Sequence, residues 1–324
     1  MHAVDIGVTV GLVLIGLSAC VQIVCLFLTR VLVNLHHGGH ISTLKMWLYL
    51  AAFFEQMSYI VFHIKYNLLS TDFENATPCI ILRFMSSFWA SQTSMWLLCI
   101  SAFYLVLTIK PEKCFTFHAR FLSHCTTWTW SCVSCLMYLL VSFLVRGDYH
   151  LIVTGRCWNH IANTIHLFCT YGNEFIPHVV IVIINACARM RISKSPHHIG
   201  RYVKNSECNV NVHRLVNTIN RYLILSSLLV VYYIVILFRL YIDERGSDVI
   251  LLVSVSSRGL LIALVTCFID EDVLSLLRGK DYQQPTVCSV TNGRAYAKVN
   301  QHLDNNTIVV DDRVWLFWNK MRNK

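Results

Sequence analysis

Seven long apolar runs dominate this sequence and decide what it can become. They cover roughly 6–29, 44–64, 80–108, 126–145, 165–187, 215–239 and 249–269. Each approaches or exceeds the ~20 residues a helix needs to cross about 30 Å of hydrocarbon. The runs are continuous rather than alternating, which argues against a membrane β-barrel. The expectation is an all-α integral membrane protein. A seven-transmembrane helix bundle fills 6–279, after a short outer N-terminus, 1–5, and before a cytoplasmic tail, 280–324. The first run does not read as a cleavable signal peptide, because Asp5 stands where a basic region belongs and the run is too long.

Composition agrees with this reading. Hydrophobic residues make up 55% of the 324, and charged residues only 14%. A soluble domain carries about 25% charged residues. The net charge of +9 could suggest an anionic partner, but its distribution argues for topology instead. With the N-terminus outside, the inner segments hold 20 Lys and Arg and the outer segments hold 5. That asymmetry follows the positive-inside rule, so a nucleic-acid partner is not expected.

The outer segments carry two further signals. Asn75-Ala76-Thr77 is a glycosylation sequon in the first of them. Cys79 opens the third run and Cys157 lies in the second outer segment, so a bridge between them would face an oxidising compartment. A second sequon, at Asn305, falls on the cytoplasmic side and should stay bare. Most other cysteines sit inside apolar runs, where they act as small hydrophobes.

Enzyme chemistry finds no footing. There is no Gly-rich phosphate loop, no HExxH and no Ser/His/Asp arrangement in a plausible context. Cys132-x-x-Cys135 has redox spacing but lies in a membrane run. The His36–His40 and His197-His198 clusters lack Cys or carboxylate companions, so neither a metal nor a cofactor is expected. Paired broken runs and inverted halves, which mark transporters, are not visible.

A set of short motifs is spread over most of the runs. Trp96 follows Cys79 by seventeen residues and leads into Cys99-Ile100-Ser101-Ala102-Phe103-Tyr104. The fourth run opens with His124 and Trp128. The second outer segment carries Gly155-Arg156-Cys157-Trp158, and the seventh run reads from Arg258-Gly259 to Val265. This pattern resembles the cyclic-AMP-receptor-like family of G-protein-coupled receptors over about residues 10–278. Rhodopsin-like signatures are absent: Asp-Arg-Tyr is missing after the third run, and Asn-Pro-x-x-Tyr from the seventh.

The resemblance implies a plasma-membrane receptor that couples an extracellular small ligand to a heterotrimeric G protein. Three positions depart from the family pattern. Ala52 replaces an Asp, Arg258 a Gln and Ile262 an Asn, so the usual polar link between spans 2 and 7 is missing. The ligand does not follow from the resemblance. Two other classes stay open: a divergent rhodopsin-like chemosensory or viral receptor, and a seven-span protein that does not signal.

Ionisable residues within the runs are costly in lipid and usually functional. Glu55 lies one turn beyond Ala52, and Arg258 is on the facing span. An ion pair between them would replace the missing link and serve as a switch. The alternative is that Arg258 snorkels or binds backbone carbonyls. Arg83, Trp89, Trp96, Trp158, Tyr171 and Glu174 are candidates for an outer ligand pocket. Tyr104, Arg189, Arg191 and Arg214 are candidates to face the G protein, although topology alone accounts for most of the basic residues.

Overall fold

The computed structural model describes residues 3–35, 40–63, 76–109, 117–144, 172–194, 212–242, 247–268 and 273. All belong to one compact unit, Met1–Cys288. The described residues form seven α-helices: α1 (Ala3–Leu35), α2 (His40–His63), α3 (Ala76–Ile109), α4 (Phe117–Leu144), α5 (Asn173–Lys194), α6 (Val212–Ile242) and α7 (Ser247–Ala263). A π-helical turn, Leu264–Phe268, continues α7. Each apolar run has its helix. The 33 residues of α1 and 34 of α3 reach about 50 Å, well beyond the hydrocarbon thickness.

Four of the helices contain a stretch long and apolar enough to cross a membrane: Thr9–Val31, Phe84–Ile109, Asn173–Lys194 and Leu215–Val235. Val255–Phe268 is apolar but shorter. Polar residues dilute the other two helices. On α2 these include Lys45, Glu55 and Gln56, and on α4 a Ser/Thr series. Several α4 hydroxyls bond back into their own helix. Ser123 donates to the Ala119 carbonyl at 2.8 Å, Thr126 to Leu122 at 2.8 Å and Thr127 to Ser123 at 2.7 Å. Such back-bonding lets hydroxyls sit in apolar surroundings.

The helix neighbours close a ring. α1 packs on α2, α2 on α3, α3 on α5, α5 on α6, α6 on α7 and α7 back on α1. α2 also touches α7, α3 touches α6, and α4 packs against α3. α3 is the inner helix. Its eight consecutive residues Ala90–Leu97 are all buried, the pattern of a helix surrounded on every side. Leu97, Ile100, Phe103, Tyr104 and Leu107 pack with Leu48, Ile181, Tyr222, Leu225 and Ile262 from α2, α5, α6 and α7.

The ring helices bury one stripe each. On α6 the buried residues include Leu215, Ile219, Tyr222, Leu225, Leu229 and Tyr233, at helical spacing, while Ile224, Leu228, Val231 and Val235 are exposed. The outer face of α4 likewise exposes Phe121, Leu122, Val133, Leu136 and Leu140. Water would penalise so wide an apolar surface; lipid does not. Pro177 is the fifth residue of α5, so the backbone bond it removes lies at the start of that helix.

Hydrogen bonds join the helices where apolar attraction between them is weak. Gln22 of α1 donates to the Gly259 carbonyl at 2.8 Å, and Gln56 of α2 to the Val255 carbonyl at 3.3 Å. Tyr49 donates to Thr266 at 2.9 Å, Asn185 to Ser101 at 3.2 Å and Ser131 to Ser91 at 3.3 Å. Gln92 of α3 breaks the pattern. It is fully buried, and neither end of its amide has a hydrogen-bond partner. An unmade amide costs about 1–3 kcal/mol. Gln92→Met, close in shape, is therefore expected to raise the melting temperature of the purified protein. A lower value would mean that the amide is bonded.

Candidate functional site

The centre of the ring holds a cluster of buried charges. Arg258 comes from α7, Glu55 from α2 and Glu174 from the first turn of α5. Arg258 Nη2 forms an ion pair with Glu55 Oε1. Arg258 Nη1 donates to Glu174 Oε2 at 2.9 Å and also to the Tyr233 hydroxyl. Tyr233 of α6 in turn donates to Glu174 Oε2 at 2.7 Å. From α3, Thr93 donates to Glu55 Oε2 at 3.0 Å and to its own helix at the Trp89 carbonyl at 2.9 Å. Five helices meet in this one network.

Burial makes the charges consequential. The side chains of Arg258, Glu55 and Glu174 are 5%, 2% and 11% exposed. Breaking such a cluster by removing one partner costs about 3–5 kcal/mol, because the rest stays buried and unbalanced. Arg258 is held from several sides: a carboxylate on each Nη nitrogen, and the Tyr233 ring with its centroid 5.9 Å from Cζ. Its bidentate reach explains why arginine serves here, where lysine would offer only a point charge.

A second layer surrounds Glu174. His178 is one turn further along α5 and only 1% exposed. Its ring stacks on Tyr233 with centroids 5.2 Å apart, and its Nε2 lies 3.3 Å from Ser94 Oγ of α3. Its Nδ1 has no hydrogen-bond partner. The first turn of a helix favours an anion such as Glu174 by up to about 2 kcal/mol.

The structure brings Glu55 and Arg258 together and adds Glu174, which the sequence suggests for a separate outer pocket. Trp89 stacks on Phe54, with centroids 4.8 Å apart. Trp96 is 1% exposed and packs toward α2 and α4, stacked on Trp47 at 5.9 Å and edge-on to His124 at 5.0 Å. Ser94 and Ser101 mark the face of α3 that meets α5. Trp96 thus packs in a seam away from Glu174. Arg83 and Cys79 lie on α3, but their side chains are outside the described residues, as are all of Asn75, Cys157, Trp158 and Tyr171.

On the other half of the bundle, Tyr104 is 4% exposed and its ring lies 5.4 Å from that of Tyr222, joining α3 to α6. Arg189 is half-buried and Arg191 exposed near the end of α5. Arg214 lies in α6 with its side chain outside the described residues. Cys132 is exposed and Cys135 buried, both as free thiols. No group of three metal-ligating side chains occurs among the described residues. Ala52 and Ile262 are buried apolar residues, and Glu55 and Arg258 form an ion pair between α2 and α7.

Tyr233, Thr93 and His178 do not stand out in the sequence. Helical spacing offers a signal for one of them: His178 shares a face with Glu174 four residues earlier. Tyr233 and Thr93 reach the cluster only through helix packing. No family model matches the chain, and no curated protein matches it.

Proposed function

We propose that the chain is a seven-span G-protein-coupled receptor of the plasma membrane, with its N-terminus outside and residues 280–324 in the cytoplasm. It passes the binding of a small extracellular ligand to a heterotrimeric G protein. The observation that carries this reading is the charge cluster at the centre of the helix ring. Arg258 links carboxylates on α2 and α5, so the relative position of three helices depends on how it divides between them. In a receptor with two helix arrangements, a ligand that prefers one shifts the population. Moving a 1:99 balance to 99:1 takes about 5.5 kcal/mol of differential binding.

The excess of basic residues in the inner segments supports the orientation. Arg83, Trp89, Trp158 and Tyr171 remain candidates for the outer ligand pocket. Tyr104, Arg189, Arg191 and Arg214 remain candidates for the G-protein face. The packed pair Tyr104–Tyr222 joins α3 to α6.

The test is a panel of Gα biosensors in cells, read for constitutive and ligand-evoked activation. We expect a signal from at least one Gα class. We also expect Tyr104→Ala to reduce it tenfold or more at unchanged surface expression, with Tyr104→Phe retaining most of it. Silence across the panel in a well-expressed protein would overturn the signalling reading and favour a non-signalling seven-span protein.

A further inference from the structure

Gln92 is fully buried near the middle of α3, and both ends of its amide lack a hydrogen-bond partner. Its neighbours in the chain fix the direction it faces. Successive residues of a helix are turned by about 100°. Thr93 donates to Glu55 on α2, and Ser91 accepts from Ser131 on α4. Gln92 stands between them, so it faces the seam where α2 and α4 flank α3. The residues one turn away agree. The Phe88 ring lies 5.8 Å from that of Trp128 on α4, and Trp96 packs against Trp47 of α2 and His124 of α4.

This seam lies on the outer side of α3, away from Ser94 and Ser101, which meet α5. About one turn from Gln92, toward Phe84, four rings form a strip across three helices. Phe54 of α2 stacks on Trp89 at 4.8 Å, Trp89 meets Phe88 edge-on at 5.2 Å, and Phe88 meets Trp128 of α4. The two ends of the strip, Phe54 and Trp128, are each 39% exposed, so the strip opens to lipid. α4 packs chiefly on α3 and lies outside the ring, so a molecule entering from the lipid displaces the α4 side of the seam and leaves the ring in place. An unsatisfied amide thus sits one turn behind an aromatic strip at the lipid surface.

We propose that the seam is a binding site for a membrane sterol that carries a hydroxyl at the end of its side chain. A sterol's flat, rigid ring system matches a strip of aromatic faces and loses little freedom on binding. Depth selects the position of the hydroxyl. Gln92 is eight residues beyond Phe84, where the apolar stretch of α3 begins, which is about 12 Å into the hydrocarbon. One leaflet holds about 15 Å of hydrocarbon. A sterol anchored at the membrane surface by its ring hydroxyl therefore places the end of its side chain at the level of Gln92. One hydroxyl there donates to Oε1 and accepts from Nε2, satisfying both ends of the amide. An unmodified sterol or a phospholipid chain has only apolar atoms at that depth and leaves the amide unpaired, at about 1–3 kcal/mol. The inference stands whether or not the chain signals.

Binding of tritiated 25-hydroxycholesterol to the purified full chain in lipid nanodiscs tests it. The wild type should bind the label, and a large excess of cholesterol should not displace it. Gln92→Met should weaken binding about tenfold or more, the factor for losing one hydrogen-bonded pairing. The same variant is expected to melt above the wild type when no sterol is present, so its loss of binding would not reflect misfolding. Trp128→Ala should weaken binding as well, by removing the α4 end of the strip. No binding by the wild type would overturn the proposal, and so would equal binding by the wild type and Gln92→Met. Displacement by cholesterol would show that the amide takes no part in recognition and would overturn it too. Binding untouched by Trp128→Ala would overturn the placement in this seam. Displacement by 12-hydroxystearate as effective as by unlabelled 25-hydroxycholesterol would show that the site takes a hydroxylated chain, and would overturn the sterol assignment.

Discussion

Arg258→Met should leave little folded protein at the cell surface, and neutralising both of its partners should restore it. The single substitution leaves Glu55 and Glu174 buried with no cation between them. The expected cost is about 3–5 kcal/mol, a large part of the roughly 5–15 kcal/mol that holds a typical domain folded. In Arg258→Met with Glu55→Gln and Glu174→Gln, no buried charge is left, and replacing a buried ion network by neutral groups is often close to neutral in stability. Surface expression and detergent melting temperature read both effects. If the triple variant is no better than Arg258→Met alone, the cluster is not what holds these helices together.

The geometry also says why a simple exchange of charges is a poor test. Exchanging Glu55 and Arg258 places a carboxylate at 258, beside Glu174, which is 2.9 Å from the arginine it would replace. Two carboxylates would then meet. The exchange should therefore recover expression only when Glu174→Gln is added. This follows from the third partner, which a two-residue reading of the sequence does not include.

The second large effect belongs to Gly259. A Cβ built at this position runs into the Gln56 amide and the Ser18 hydroxyl, so α7 approaches α1 and α2 closely enough that a larger residue must displace both side chains. The same residue's carbonyl accepts from Gln22, and Val255 one turn earlier accepts from Gln56. Gly259→Val should push α7 outward and disturb both bonds as well as the adjacent Arg258. Overpacking alone costs about 1–3 kcal/mol, and each lost bond leaves a buried polar group unpaired at about 1–3 kcal/mol more. We expect a melting temperature lower by ten degrees or more and a matching loss of surface protein. Gln56→Ala and Ser18→Ala clear the space, so adding them to Gly259→Val should return part of the loss. No recovery would show that the close approach is not the cause.

The two predictions differ in how far the sequence foretells them. Glu55 and Arg258 stand out because charge inside an apolar run is rare, and rarity needs no structure to be seen. Glu174 is equally visible, yet its partner is not. It lies in the first turn of its helix, three residues before Pro177, and the sequence does not say which neighbours that turn meets. Gly259 looks like any small residue in a span until Ser18 and Gln56 are placed against it. Trp96 is one of several aromatic pocket candidates in the sequence, and the structure packs it in the seam with Trp47 and His124.

By itself, the sequence determined the number of helices, their approximate limits and their apolar character. Helix formation in lipid is a local matter: each backbone group must bond within its own segment, and hydrophobic length is read directly from composition. It determined also that Glu55, Glu174 and Arg258 would need company. Only the tertiary structure decided which company. The ring order of the helices and the rotation of each about its own axis bring Tyr233 and Thr93 to the charges and set Glu174 against Arg258. Those rotations depend on side chains meeting far apart along the chain, as across the 237 residues between Gln22 and Gly259. A periodic apolar pattern marks one face of a helix, but it carries no information about the neighbour that face will meet.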